Sequence, residues 1–188
     1  KPDFGRYRAV SSQVFEMYRS VTPLVEPLSL DEAYLDVTKN RWGEPLATTV
    51  AKRLKHWIHA ETRLTVSAGA APNKFLAKLC SDWDKPDGLT VMLPADVLAR
   101  LAPLPIGRMW GVGPVTEKRM VAAGVSTFGD LQDLSAEQAQ QRLGDHAEHF
   151  RRLARGEDDR RHRQAAQSVA APPARINVQR DGKIAERA

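Results

Sequence analysis

Two neighbouring carboxylates, Asp31 and Glu32, stand inside a stretch that otherwise has the pattern of a strand, Ser29-Leu30-Asp31-Glu32-Ala33-Tyr34-Leu35-Asp36-Val37-Thr38. Leu28, Leu30, Ala33, Leu35 and Val37 are apolar, and Tyr34, Val37 and Thr38 favour extended backbone. Successive side chains of a regular strand point to opposite faces, so the two carboxylates share a site only at a strand end or hairpin turn. Carboxylates held together repel, and a hard divalent cation such as Mg²⁺ relieves the repulsion. Taken alone, the dipeptide is more simply a solvated turn, because charged side chains are mostly exposed. The rest of the chain decides between the two.

Ahead of this stretch, Tyr7, Val10, Val14, Tyr18 and Val21 recur at spacings of three and four, which predicts an amphipathic helix over about 5–20 closed by Pro23. Leu24 to Ser29 is extended, with Pro27 interrupting it. Leu46, Val50, Leu54 and Ile58 mark a second helix, and Leu64 to Gly69 a strand. Asn73 opens a third helix whose apolar side is Phe75, Leu76, Leu79 and Cys80, with Lys74 and Lys78 four apart on another side. Asp84-Lys85-Pro86-Asp87-Gly88 has strong turn chemistry, and Leu89 to Leu93 is a short strand. This order predicts an α+β fold, a mixed sheet with helices packed on it. From Pro94 only short helices follow, with Thr127 and Ser135 as N-caps, Ser135 to Gln138 as a capping box, and Gly156 as the stop of the last helix. Residues 164–188 show no period, and 161–188 read as a disordered linker or tail.

The 188 residues suffice for one large domain or two small ones. No apolar run reaches membrane-spanning length and no signal peptide opens the chain, so no membrane partner is expected. Cys80, the only cysteine, excludes an internal disulfide and falls on the apolar side of its helix. A cytoplasmic protein is the default. The net charge of +5 permits a polyanionic partner without requiring one.

Ile106 to Met120 has the form helix, Gly111-Val112-Gly113 hairpin, helix. Such a hairpin lets its backbone approach another chain closely, and the N–H groups opening the second helix can take a phosphate oxygen. Pro114 suits the first helical position, and Lys118 and Arg119 add charge. A glycine turn between packed helices is the alternative. Lys85 could reach a triphosphate as a point charge or be a solvated loop lysine. His56/His59 and His146/His149 are each three apart, with no companion at a recognised metal-ligand spacing, and read as surface or cap histidines.

Together these segments resemble the Y-family translesion DNA polymerases, closest to their bacterial DNA polymerase IV (DinB) type. The likeness rests on Tyr7-x-x-x-Ser11, on Val25 to Thr38 around Ser-Leu-Asp-Glu, and on Ser67 to Lys78 with its Asn73-Lys74 and Ala77-Lys78. It continues through Lys85-Pro86-Asp87-Gly88, Gly111-Val112-Gly113, Thr127 to Leu131 and Ala154 to Arg160. The resemblance implies a partial palm over 1–93 and a small all-helical thumb with a helix-hairpin-helix over 94–160. It implies that Asp31 and Glu32 are catalytic and ligate Mg²⁺ in a two-metal site, and that Lys85 touches the incoming nucleotide. Lys74, Gly111, Val112, Gly113, Val115, Thr116 and Lys118 would contact DNA. The implied partners are primer-template DNA, a dNTP and a sliding clamp bound through a segment not in this sequence. The implied activity is error-prone template-directed synthesis in DNA repair.

Two departures qualify these expectations. The family's first metal-binding aspartate lies in a Met-Asp-x-Phe-Phe-like strand, which the sequence does not contain, and neither the fingers nor the little finger is found. The isolated chain is therefore expected to be an inactive or nearly inactive fragment. A non-catalytic DNA-binding or scaffold derivative of the same fold is the rival reading. An unrelated helix-hairpin-helix module would account for 104–123 and nothing earlier.

Overall fold

Asp3 accepts a hydrogen bond from the Arg6 N–H and starts helix α1, Phe4–Val21, which buries Val14, Phe15, Tyr18 and Val21 along one side. The computed structural model describes residues 3–160 and 174–181. They fall into two compact units, Lys1–Met92 with Arg160–Ala188, and Leu93–Asp159. In the first unit α1 is followed by β1 (Val25–Pro27), β2 (Glu32–Asp36), α2 (Ala47–Thr62), β3 (Val66–Ala71), α3 (Lys74–Ser81) and β4 (Leu89–Val91). This is the expected order of elements, within a few residues at each boundary.

The sequence does not reveal a further strand. Residues 161–188 were expected as a disordered tail, yet Arg175–Arg180 form a strand, β5, in the middle of a five-stranded sheet of order β1-β2-β5-β3-β4. The expectation for 175–180 is thereby corrected, while residues 161–173 and 182–188 lie outside the described residues. β5 runs antiparallel to both neighbours, with Ala33↔Val178 and Leu35↔Ile176 on one side and Ala68↔Val178 and Ala70↔Ile176 on the other. β3 and β4 are parallel, so the sheet is mixed. The alternation in Arg175-Ile176-Asn177-Val178-Gln179 spans too few residues to stand out in a polar, Pro-containing stretch. The strand is specified by its two neighbours more than by propensity.

Ile176 and Val178 join Ala33, Leu35, Ala68 and Ala70 in a core covered by α1 and α2. α3 covers the opposite face, where Gly69 makes close packing possible. A Cβ at Gly69 would collide with the Ala77 carbonyl oxygen and the Ser81 nitrogen. Asn73 caps α3 through the Leu76 N–H, and every residue from Lys74 to Ser81 is buried.

The second unit holds α4 (Val97–Leu101), α5 (Pro114–Ala122), α6 (Phe128–Asp133), α7 (Ala136–Leu143) and α8 (Ala147–Ala154). Leu101, Ile106, Met109, Met120, Val125, Phe128 and Leu131 form its buried core. Thr127 and Ser135 both close capping boxes, with Asp130 and Gln138. The arm ahead of the hairpin, expected as a helix, is a single 3₁₀ turn, Ile106–Arg108, because Pro105 and Gly111 leave room for little more. The fold class is therefore α+β, a mixed-sheet unit with packed helices and a small helical unit with the hairpin. Among the described residues no helix is long and apolar enough to cross a membrane.

The central position of β5 makes its apolar side chains costly to shorten. Ile176→Ala is expected to lower stability by about 2–5 kcal/mol in urea unfolding. Leu98→Ala, at a site 54% exposed, is expected to change it by no more than about 0.5 kcal/mol.

Candidate active site

The turn between β1 and β2 is drawn tight by the Leu28 and Ser29 N–H groups, which donate to the Glu32 carbonyl at 2.9 and 3.2 Å. The Ser11 hydroxyl donates to the Leu30 carbonyl at 2.5 Å and ties this turn to α1. Asp31 ends the turn and Glu32 opens β2. Opposite them, the Arg180 N–H donates to the Asp31 carbonyl at 3.0 Å and Gln179 pairs with Glu32.

The two carboxylates meet different cations, as alternation along a strand requires. Asp31 Oδ1 accepts from the Ser29 hydroxyl at 2.5 Å, and its Oδ2 lies 3.9 Å from Arg180 Nη2. The Arg180 guanidinium stands 4.5 Å over the ring of Tyr7 in α1. Partial burial and the nearby Asp31 charge push the Tyr7 phenol above its ordinary pKa. Glu32 faces α3 instead, with Oε1 3.1 Å from Lys78 Nζ.

Lys78 also donates to Asp82 Oδ2 at 2.7 Å and to Gln179 Oε1 at 3.0 Å. Lys85 Nζ lies 2.5 Å from Asp82 Oδ1. The result is an alternating row of charges, Glu32, Lys78, Asp82 and Lys85, that runs from the strand to the Pro-Gly loop. Burial alone would raise the Asp82 pKa, but hydrogen bonds from Lys78 and Lys85 outweigh it and hold the carboxyl below the usual range. Asp181, just beyond β5, accepts from the Ser67 hydroxyl at 2.7 Å and the Asp87 N–H at 2.8 Å, and so anchors the loop that carries Lys85.

Lys74 is buried, with Nζ 2.6 Å from Glu26 Oε2 and 5.6 Å from the centre of the Tyr34 ring. Arg180, Asp181 and Asp82 were not identified as site residues from the sequence. Arg180 ends the unrecognised strand and Asp181 follows it directly, and Asp82 owes its place to two lysines brought to it by the fold.

Hard oxygen donors such as Asp31 and Glu32 suit a Mg²⁺ ion. Glu32 Oε1 is buried and lacks a hydrogen-bond partner despite the nearby Lys78, so the donor chemistry fits a divalent cation. Among the described residues no group of three or more His, Cys, Asp or Glu gathers to complete a shell.

In the helical unit Gly111 adopts φ +96°, which favours glycine, and Gly113 precedes Pro114 at the first turn of α5. Val115 and Lys118 are exposed, Thr116 is half-buried and Val112 is buried under the hairpin. Beside the hairpin lies a cavity of about 390 Å³ lined by Thr116, Arg119, Arg142, His146, His149 and Phe150 among others, with no carboxylate in its wall. The two histidines of that pair thus face a cationic hollow.

The profile of the impB/mucB/samB family matches residues 1–82, and that of the IMS family HHH motif matches 94–125. DNA polymerase IV of Xanthomonas campestris pv. campestris (strain 8004) is 52% identical over 159 residues, 85% of this chain and 44% of that protein. DNA polymerase IV of Neisseria meningitidis serogroup A is 50% identical, over 85% of this chain and 45% of its own length. Among solved structures, DinB from Sulfolobus solfataricus matches with a TM-score of 0.76 at 30% identity, over 85% of this chain and 48% of that one. An insertion ternary complex of Dbh DNA polymerase matches equally well, with a TM-score of 0.76, 30% identity and shares of 85% and 47%. The chain belongs to the Y-family DNA polymerases. It spans a little under half the length of the DNA polymerase IV relatives it matches.

Because the Asp82 carboxyl is held below its unfolded value of 3.8, it stabilises the fold above that pH and loses this effect as pH falls through the lower folded value. The gap in thermal midpoint between the unsubstituted protein and Asp82→Asn should therefore be widest near neutrality and close on acidification. Melting curves at several pH values check this.

Proposed function

We propose that the chain forms palm and thumb portions of an error-prone DNA-directed DNA polymerase of the translesion and DNA-repair class. The observation that carries this reading is the placement of Asp31 and Glu32 at a hairpin of a mixed sheet, beside a lysine row leading to Lys85, in a chain of this family. The reaction is attack of a primer 3′-hydroxyl on the α-phosphate of a dNTP with loss of pyrophosphate. Asp31 and Glu32 would hold Mg²⁺, which when bound supplies electrostatic stabilisation of the charge that develops on the transferring phosphoryl group. Lys85 would leave Asp82 for the nucleotide's phosphates, where it acts as a point charge. Asp82 holds that lysine in place, and Asp181 fixes the loop from which it reaches.

The DNA backbone would be gripped by the hairpin. The N–H groups opening α5 meet a phosphate there, with Gly111, Val112, Gly113, Val115 and Thr116 at the contact and Lys118 adding charge. These contacts give affinity and register without sequence preference. The cationic hollow beside the hairpin supports the same reading. Primer-template DNA and a dNTP are the partners, a sliding clamp is a further one in the whole polymerase, and the cytoplasm is the proposed location.

A second reading, a non-catalytic DNA-binding or scaffold derivative, is favoured by one observation: Arg180 and Lys78 already face both carboxylates. The two readings separate on nucleotide binding. For the polymerase reading, Mg²⁺-dNTP titrated calorimetrically should bind, and Lys85→Ala should weaken binding by about tenfold through loss of one charge-assisted contact. DNA binding without any dNTP binding would support the scaffold reading instead. In either case Lys118→Ala should lower the slope of log affinity against log salt by about 1, as measured by duplex-binding titrations at several ionic strengths.

A further inference from the structure

β5 fills the sheet with a poor match of polar groups. Arg175 Nε and Nη1, Asn177 Oδ1 and Arg180 Nε are all buried without hydrogen-bond partners, although the backbone ladder on both sides is complete. Burying unmet donors and acceptors is costly. Arg180 is the one that reaches the carboxylate pair. Its side chain is 8% exposed, it lies over the Tyr7 ring, and its Nη2 stands 3.9 Å from Asp31 Oδ2, at the outer limit of an ion pair. Asp31 itself is 31% exposed and open to an ion from solvent. Lys78 holds the Glu32 side in the same way, but shares its ammonium with Asp82 and Gln179.

We propose that β5 presents Arg180 to Asp31 as an intramolecular cation that competes with a divalent metal ion for this carboxylate. This rests on the reading of Asp31 and Glu32 as metal ligands. A divalent cation would bring twice the charge of the guanidinium, which itself stands 3.9 Å from the one aspartate oxygen it faces. Metal therefore wins at sufficient concentration, and Arg180 sets how much is needed. The strand lies within the same chain, so this opposition is present at every protein concentration.

The test is Mn²⁺ binding to the full chain, followed by the electron paramagnetic resonance of the free ion at low salt and neutral pH. Arg180→Ala should bind Mn²⁺ about fivefold more tightly or better, the lower bound for removing a unit charge about 4 Å away in fully screened water. Arg180→Lys should remain close to the unsubstituted protein, and adding Asp31→Asn to Arg180→Ala should abolish the gain. Arg180→Met, which keeps the stem over Tyr7, replaces the alanine variant if circular dichroism shows that variant unfolded. Equal Mn²⁺ affinity with and without the arginine, in a protein whose binding still depends on Asp31, overturns the competition and leaves the metal reading intact. Absence of Asp31-dependent Mn²⁺ binding in every variant overturns the metal reading itself, and the competition with it.

Discussion

Strand β5 supplies the backbone partners that β2 and β3 both need. Arg175 to Gln179 pair with β2 from Asp36 back to Glu32, and all six residues of β5 pair with β3 from Val66 to Ala71, so among the described residues the two halves of the sheet meet through it. Hydrogen bonds in a dry sheet interior are modest in net gain but costly to leave unmade, and this makes the strand indispensable to the unit. Ile176 and Val178 add apolar burial on the α1 and α2 face. On the other side the strand brings Arg175 to Asp36 at 3.4 Å and Gln179 to Lys78, polar contacts that only partly satisfy the groups involved.

The charged row beside it depends in turn on how closely α3 approaches the sheet. Gly69 removes the one side chain that would hold the helix away, and Asn73 fixes where the helix begins. Lys78 then falls within reach of Glu32 and Asp82, and Asp82 within reach of Lys85. A glycine and an asparagine without chemistry of their own thus decide which carboxylate neighbours which ammonium.

Much of this was legible in the sequence, for local reasons. The spacing of Val14, Tyr18 and Val21 marks α1, Asn73 marks the start of α3, and Ser135 with Gln138 marks α7, because caps and helical periodicity act within a few residues. Asp31 and Glu32 were legible as the end of a turn and the start of a strand, the one place where strand alternation leaves both near one site. What was not legible depends on contacts between distant residues. Asn177 donates to the Ala33 carbonyl across 144 positions, and Asp181 reaches the Asp87 N–H across 94. No composition or period announces such pairings. The burial of Lys74 has a related cause, its ion pair with Glu26, 48 positions earlier.

The discontinuity of the first unit sets an order of assembly. Residues 93–159 are contiguous, so the helical unit can pack as soon as they leave the ribosome. The sheet of the described residues is not complete until Arg180 has been synthesised, although α1 and β1 to β4 precede the helical unit in the chain. Its early strands must therefore wait, edges unpaired, through the synthesis of an entire second unit. During that interval the gap between β2 and β3 is the place where a foreign strand would most readily lodge.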